Sequence, residues 1–151
     1  MTKVRYKTNS AVFALIFDDS RTKILLQKRI NTNIKDGYFD VGTSGHVEKN
    51  ESMSQAMIRE LKEELGINVE KKNLKFSSMM HKKYNDTAEP YYNGYFIVEK
   101  YEGTPHIVEP EKDAELLWAP IKDLPQNLIE DRKIAINNYL NGISYCEDGW
   151  D

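Results

Sequence analysis

The chain has almost no cysteine and no long apolar run, and each scarcity excludes a class of protein. Cys146 is the single cysteine among 151 residues, so neither an intramolecular disulfide nor a cysteine-rich zinc site can form. A lone thiol suits a reducing compartment, and we expect a cytoplasmic protein. No stretch approaches the roughly 20 consecutive apolar residues of a membrane-spanning helix, so no membrane association is expected.

The chain also lacks an excess of positive charge, because 21 Lys and Arg residues face 24 Asp and Glu residues. The formal net charge is -3 at pH 7, which gives no basic footprint for DNA or RNA, so nucleic-acid binding is not expected. The chain also lacks internal repeats, low-complexity tracts and linker-like breaks. With 40% apolar residues it is long enough to bury one core, and we predict a single domain over residues 1–151.

Apolar runs separated by turn-forming residues predict the order of the elements. Residues 11–17 and 24–27 are predicted as neighbouring strands joined as a hairpin by a polar turn. Residues 31–51 are predicted as a long irregular segment, and a loop of this length is usually functional. Further strands are predicted at 75–81, 94–100 and 116–119, and a closing helix at 128–140.

The stretch RELKEELGI, residues 59–67, lies at the end of another predicted helix. This helix begins near Ser52 and ends at Gly66, a typical position for a C-terminal cap. At about 100° per residue, its apolar side chains form one core-facing arc. Glu60, Glu63 and Glu64 occupy the adjoining arc, at the border of the buried face.

Three carboxylates on one arc of a helix repel one another. Arg59 and Lys62 are predicted to point elsewhere on the helix, so neither can neutralise the whole cluster. Carboxylates packed this closely can share protons, turn into solvent, or hold a hard divalent cation through oxygen ligands. The helix by itself leaves these three interpretations open.

The loop before this helix favours one of the three interpretations, the binding of a cation. Residues 45–67 read GHVEKNESMSQAMIRELKEELGI, and the spacing of their charged residues and glycines resembles the box of the Nudix hydrolases, more loosely that of the MutT-like branch. The resemblance implies an α/β fold, specifically an α/β/α sandwich with a mixed β-sheet. It also implies hydrolysis of a nucleoside diphosphate linked to another group. The matching positions are Gly45, Glu51, Arg59, Glu60, Glu63, Glu64 and Gly66.

The same resemblance implies a metal site on the acidic helix. Glu60, Glu63 and Glu64 match the glutamates that bind Mg²⁺ or Mn²⁺ in the family, helped by a backbone carbonyl that here belongs to Ser44. Glu63 or Glu64 is also a candidate for the group that takes the proton of the attacking water. Ser44 stands where relatives often have a glycine, and its carbonyl survives that change.

Other residues of the box are implied to be structural. Glu51 and Arg59 match a pair that ties the loop to the helix, so Arg59 is not predicted to be catalytic. Gly45 and Gly66 match glycines of the box itself. His46 follows at a variable position, and a surface or supporting role is favoured over a catalytic one.

Candidates outside the box lie in an acidic segment, VEPEKDAE, at residues 108–115. It is either a polar connection before a strand or the source of one ligand or base, as in some relatives. Glu111 and Glu109 rank first for that catalytic role, ahead of Asp113 and Glu115.

Two further residues are predicted to bind substrate. Arg29 ends a predicted strand just before the box loop and either contacts a phosphate or is a surface arginine. Asn127 matches a position used for base recognition in some MutT-like proteins, and it suits equally the cap of the closing helix.

The leading expectation is a Mg²⁺-dependent nucleoside triphosphate pyrophosphohydrolase, including one that removes oxidised nucleotides. ADP-ribose or nucleotide-sugar hydrolysis, dinucleoside polyphosphate hydrolysis, and a nucleotide-sensing module without turnover are the alternatives. ADP-ribose-type relatives often carry a proline where this chain has Lys82, while Tyr84 lies near a tyrosine of dinucleoside polyphosphate relatives. The partner is a small-molecule nucleotide, and the resemblance allows a homodimer.

Overall fold

The architecture is a mixed α/β arrangement built from short elements. The computed structural model describes residues 3–31, 35–111 and 113–151, and for 113 and 114 the backbone alone. No helix in these ranges is long and apolar enough to cross a membrane. In chain order the elements are β1 Asn9–Ile16, β2 Lys23–Arg29, β3 Phe39–Val41, β4 Thr43–His46, α1 Met53–Leu65, β5 Leu74–Lys82, β6 Tyr91–Val98, β7 Asp113–Pro120, α2 Glu130–Leu140 and β8 Tyr145–Asp148.

The strands form two sheets. Five strands pair in the order β4-β1-β6-β5-β8, and three pair in the order β3-β2-β7. The larger sheet is mixed, because β1 runs antiparallel to β4 and parallel to β6, while β5 runs antiparallel to β6 and parallel to β8. The fold therefore agrees with the α/β class and the mixed sheet that the resemblance implies.

Strand β1 lies between two cores and is buried on both faces. Its side chains alternate between the faces of the sheet. Phe13 and Leu15 pack in the core that includes α2 and β2. Val12 and Ala14 pack in the core that includes α1. A strand covered on both sides reads as a continuous apolar run, which is how the sequence shows it.

Helix α1 begins and ends where its sequence predicts. The Ser52 hydroxyl accepts a hydrogen bond from the Gln55 backbone N–H, and the Gln55 side chain accepts one from Ser52 N, which completes a capping box. At the other end Gly66 adopts the left-handed conformation with φ 68°, which a glycine reaches without steric cost. These local signals fix the acidic face of α1 relative to the preceding loop.

The prediction that β1 and β2 pair as a hairpin is wrong, although the turn between them forms. Asp18 N donates to Lys23 O at 3.0 Å, and Phe17 and Ile24 form one antiparallel bridge. The strands then separate into different sheets. The physical reason is that β4 and β6 already occupy both hydrogen-bonding edges of β1, so β2 pairs with β3 and β7 instead.

Residues 31–51 are also less irregular than predicted, although residues 32–34 lie outside the described ranges. Strands β3 and β4 fall in this segment, with three and four residues. Strands this short show no clear alternation, and their pairing with β2 and β1 decides their structure. The edge strand β8, which joins β5, was not predicted either.

Helix α2 begins two residues later than predicted. Phe39 N donates to Asn127 O at 2.8 Å, and Ile129 N donates to Phe39 O at 3.0 Å. Leu128 and Ile129 are thus held in extended pairing with β3 rather than in the first helical turn. The closing helix itself and its end at Leu140 agree with the sequence.

A buried ion pair connects β3 to α2. Asp40 is fully buried, and its carboxylate accepts from Arg132 Nε at 2.7 Å and from Arg29 Nη1 at 3.1 Å. Burial alone would raise the pKa of Asp40, but the charges of Arg132 and Arg29 outweigh it and hold that pKa below its usual value. The Arg132 guanidinium also lies over the Phe13 ring, 4.2 Å from its centroid.

Asp40→Asn is expected to destabilise the protein by about 3 kcal/mol or more, because it keeps the shape of the side chain but leaves the buried Arg132 without its opposite charge. Urea unfolding followed by circular dichroism measures the change. Asp123→Asn, the same substitution at an exposed position, should stay within about 0.5 kcal/mol. Equal stability of Asp40→Asn and wild type would contradict the electrostatic role of the pair.

Candidate active site

A cavity of about 1020 Å³ opens beside the box loop, at the upper end of the size range of ligand pockets. Ser44, Gly45 and Glu64 line it on the side of the box. Tyr84 and Asn93, from the loop after β5 and from β6, also line it. The loop, α1 and the far strands of the larger sheet thus meet in one concave site.

The three glutamates of α1 differ in their surroundings. Arg59 Nη1 lies 2.6 Å from Glu60 Oε1 and 3.3 Å from Glu63 Oε2. Glu64 instead accepts a hydrogen bond from Thr43 Oγ1 at 2.6 Å. Arg59, which helical spacing places on the far side of Glu63, therefore reaches two of the three carboxylates and, as expected, does not neutralise the whole cluster. Helical spacing gives the direction of Cβ, but a long arginine side chain can fold back across the helix.

Arg59 also binds the loop that precedes the helix. Its Nε and Nη2 donate to the two carboxylate oxygens of Glu51 at 2.8 and 2.9 Å, and Nη2 donates to His46 O at 3.0 Å. Hydrogen bonds from Arg59 and from the Glu48 backbone N–H lower the pKa of Glu51 to about 2. The two-point contact joins the loop and the helix in the way that the resemblance implies.

Gly45 allows the Glu60 carboxylate to lie directly against the loop backbone. A Cβ at Gly45 would come within 2.2 Å of the Glu60 carboxyl carbon, a distance that no real contact reaches. Burial raises the pKa of Glu60, the charges of Glu63 and Glu109 add to that rise, and Arg59 opposes it. Glu60 is therefore a partly buried carboxylate whose place depends on the absence of a side chain at Gly45.

The oxygen atoms of this cluster are of the type that binds a hard divalent cation, although the side chains do not converge on one point. Among the described residues, no three Asp, Glu, His or Cys groups converge closely enough to form a metal cage. The contacts above give the reason, because Arg59 draws Glu60 and Glu63 to one side and Thr43 holds Glu64. Crowded carboxylate oxygens beside a backbone carbonyl are the ligands that Mg²⁺ and Mn²⁺ prefer. The ligand set Glu60, Glu63, Glu64 and Ser44 stays a prediction.

Of the two predicted substrate-binding residues, Arg29 lines the cavity and Asn127 is not among its lining residues. Arg29 is ion-paired with Asp40. Asn127 Nδ2 donates to Gly37 O at 2.8 Å, which ties the start of the closing segment to the loop before β3. The cap interpretation of Asn127 is wrong, because Ile129 occupies the N-cap position of α2 and no side chain caps it.

The acidic segment contributes Glu109 rather than Glu111 to the cavity lining. Glu111 is exposed, and its backbone carbonyl accepts from Asn31 Nδ2 at 3.2 Å. Glu115 lies 3.9 Å from Lys28 in an exposed ion pair, and the side chain of Asp113 lies outside the described part of the chain. The catalytic role of Glu111 stays a prediction, and the geometry favours Glu109.

Several cavity residues gave no signal in the sequence. Lys82 Nζ lies 2.9 Å from Asp131 Oδ1 and also contacts Asp148. These three charges come from β5, α2 and β8, so no local spacing connects them. Thr43 was likewise not predicted, although its position next to the box could have suggested a contact with the helix.

Comparison with known proteins identifies this arrangement. The family model of the NUDIX domain matches residues 7–139. The chain belongs to the Nudix family. It is thus a hydrolase of pyrophosphate bonds, and members of this family act on small nucleotide substrates and generally use divalent cations.

Several solved structures share the fold over most of the chain. A MutT NUDIX hydrolase from Burkholderia pseudomallei is 27% identical, with 88% of this chain and 98% of that chain covered and a TM-score of 0.78. The E. coli ORF135 protein is 25% identical, with 89% and 90% covered and a TM-score of 0.72. The NUDIX domain of Shewanella oneidensis NrtR, solved with ADP ribose, is 18% identical, with 91% and 89% covered and a TM-score of 0.69, a likeness of fold alone. No curated protein matches the chain by sequence.

Gly45→Ala is expected to separate stability from activity in this Nudix hydrolase. The three atoms nearest to the new methyl group all belong to the flexible Glu60 side chain, which can move aside, so the free energy of unfolding should change by about 1 kcal/mol or less. Mg²⁺ affinity and pyrophosphate-bond hydrolysis should fall by about 10- to 100-fold, as for other changes that misplace a metal ligand. Metal titration and product release measure these losses, with Lys49→Ala, an exposed change in the same loop, as the control. Wild-type metal affinity in Gly45→Ala would rule out this dependence on Gly45.

Glu51→Gln is expected to lower stability at neutral pH in a way that fades in acid. The folded-state pKa of Glu51, about 2, is below its ordinary value of 4.5. Its carboxylate therefore stabilises the fold fully above pH 4.5, and this contribution is lost as the pH falls toward 2. Unfolding free energies of the variant and wild type should converge over that window. The explanation would be contradicted if the difference in unfolding free energy between variant and wild type stayed constant from pH 7 to about 2. It would also be contradicted if the exposed control Glu102→Gln lost stability with the same pH dependence.

Proposed function

We propose that this Nudix hydrolase is a divalent-metal-dependent pyrophosphohydrolase of nucleoside triphosphates, including oxidised ones, as in the MutT-like branch. The observation that carries the proposal is one cavity that joins Glu64 and Ser44 at the box to aromatic and amide side chains at Tyr84 and Asn93. Such a cavity suits a ligand with phosphates at one end and a base at the other. The Burkholderia pseudomallei MutT NUDIX hydrolase, almost all of which is covered by this chain, supports the same class.

The charged residues of the cavity suit a polyphosphate bound through a cation. Glu60, Glu63, Glu64 and the Ser44 carbonyl would hold Mg²⁺ or Mn²⁺. When bound, the cation neutralises phosphate charge and makes a coordinated water more acidic. Arg29 and Lys35, which also line the cavity, supply positive charge to the phosphates. These contacts orient the diphosphate for attack by water.

Glu64 is the best candidate for the group that accepts the proton of the attacking water. It lines the cavity, and the hydrogen bond from Thr43 Oγ1 holds one of its oxygens in place. Glu63 is less suited, because its side chain is 55% exposed and is paired with Arg59. Glu109 lines the same cavity and is the second candidate for this role, ahead of Glu111.

ADP ribose defines a second candidate substrate class. The Shewanella oneidensis NrtR domain, which shares the fold, was solved as a complex with ADP ribose. ADP ribose, nucleotide sugars and dinucleoside polyphosphates contain the same nucleoside diphosphate core. A cavity with carboxylates at one end and aromatic and amide side chains at the other therefore suits each of these compounds. A nucleotide-sensing module without turnover would bind the same core and leave it intact. We place the protein in the cytoplasm, where a single thiol stays reduced.

The deciding experiment offers nucleoside triphosphates, oxidised nucleotides, ADP ribose and dinucleoside polyphosphates to the purified protein with Mg²⁺ or Mn²⁺. We expect release of pyrophosphate and a nucleoside monophosphate from triphosphates, and ¹⁸O-labelled water identifies the phosphorus that is attacked. Preferential cleavage of ADP ribose would contradict the triphosphate assignment and support the second substrate class. Tight nucleotide binding without cleavage of any compound would refute a catalytic role.

Glu64→Gln tests the residue assignment in the same assay. Loss of the proton acceptor should lower kcat by about 10²- to 10⁴-fold, while the fold, judged by circular dichroism, stays intact. Glu70→Gln, an exposed glutamate outside this cavity, should keep the wild-type rate. If Glu109→Gln lowers kcat by that amount and Glu64→Gln does not, Glu109 is the base.

A further inference from the structure

Asn93, in the cavity lining, has a buried amide oxygen without a hydrogen-bond partner. Among the described residues, two buried side-chain atoms have no hydrogen-bond partner, Ser78 Oγ and Asn93 Oδ1. Of these two residues, Asn93 lines the cavity. It is fully buried, and its Nδ2 donates to the Tyr84 hydroxyl at 3.2 Å. A buried carbonyl oxygen without a partner is costly, which indicates that a ligand completes its hydrogen bonding.

The sheet places Asn93 at a definite distance from the box. Ala11 on β1 is paired with His46 of β4 on one side and with Asn93 of β6 on the other. Asn93 therefore lies two strand spacings, about 10 Å, from the strand that carries Ser44 and Gly45. This separation suits a base attached through a sugar to phosphates held at the box.

The lining near Asn93 is rich in hydrogen-bond acceptors. Lys82 of β5 is shared between the carboxylates of Asp131 and Asp148. Arg132, which also lines the cavity and lies 3.9 Å from Asp131, is paired with the buried Asp40. These groups together carry no excess of positive charge to attract a phosphate, and their carboxylates favour a neutral group that presents N–H donors. Tyr84 and Tyr91, whose rings meet edge to face with centroids 5.6 Å apart, add aromatic surface for a planar ring.

We propose that Asn93 is a specificity residue that selects nucleobases with an exocyclic amino group, namely adenine, guanine and cytosine. The inference rests on the proposed nucleotide substrate and adds the class of base. An amino group donates to Asn93 Oδ1 and completes its hydrogen bonding. Uracil and thymine present a ring N–H between two carbonyl oxygens, and those oxygens face a wall of acceptors. Their single ring N–H can approach Asn93 Oδ1 only by bringing a carbonyl oxygen against that wall, so they bind less well than a base that offers an amino group.

The test measures binding of nucleosides, which have no phosphates and are not hydrolysed. Titration calorimetry or ligand-observed NMR of the full chain is performed with adenosine, guanosine, cytidine, uridine and thymidine. The amino-bearing nucleosides should bind about tenfold more tightly than uridine and thymidine, the size expected for one added hydrogen bond. Asn93→Leu should reduce this ratio to near one, and the exposed control Asn137→Leu should preserve it.

A second variant covers the case in which Asn93→Leu does not fold. Tyr84 is 46% exposed, so Tyr84→Phe should fold normally. It frees Asn93 Nδ2, lets the amide turn and present a donor, and so weakens the discrimination several-fold. Unchanged discrimination in Tyr84→Phe would count against the proposal.

The outcomes separate this inference from the proposed function. Equal binding of all five nucleosides, a preference for uridine or thymidine, or no nucleoside binding at all would overturn the role of Asn93. In each of those cases hydrolysis of nucleoside triphosphates would still support the proposed function. Nucleoside discrimination in a protein that cleaves no nucleotide would refute the enzymatic proposal and leave Asn93 as a base-selective residue.

Discussion

The acidic site depends on the contacts of one guanidinium group. Arg59 binds the carboxylates of Glu51, Glu60 and Glu63 and the backbone carbonyl of His46. Without the shared guanidinium of Arg59, repulsion between like charges at this helical spacing would drive the glutamate side chains apart. Arginine suits the position because its five donors have a fixed planar arrangement, whereas lysine offers a single compact charge. The same group therefore orders the loop and keeps the acidic cluster together.

Three further contacts turn this cluster into one wall of a cavity. The lack of a side chain at Gly45 lets Glu60 lie against the loop, and Thr43 holds Glu64. On the other side of the sheet, the buried pair of Asp40 and Arg132 attaches α2 to β3. Strands and helices rather than free loops therefore hold these groups, which fixes the walls of the cavity relative to one another.

The distribution of charge gives the cavity a direction. Carboxylates that suit a cation stand at the box, and Arg29, which is paired with the buried Asp40, lines the wall. Near Asn93, Lys82 is matched by two carboxylates, so no excess of positive charge competes for the phosphates there. Under the proposed function, a nucleotide with its phosphates at the box would match both ends, whereas the reverse orientation would place phosphate against the carboxylates near Asn93.

Local signals in the sequence determined the family, the acidic helix with both its caps, and the apolar run of β1. These signals depend on residues close together in the chain, such as the capping box of Ser52 and Gln55. The tertiary structure alone decided that β2 leaves β1 for another sheet, and that Glu109 rather than Glu111 lines the cavity. It also decided the contact of Lys82 with Asp131 and the position of the buried Asn93 in the cavity lining. Such contacts depend on which strand edges are free and on how distant segments pack, and no short stretch of sequence contains that information.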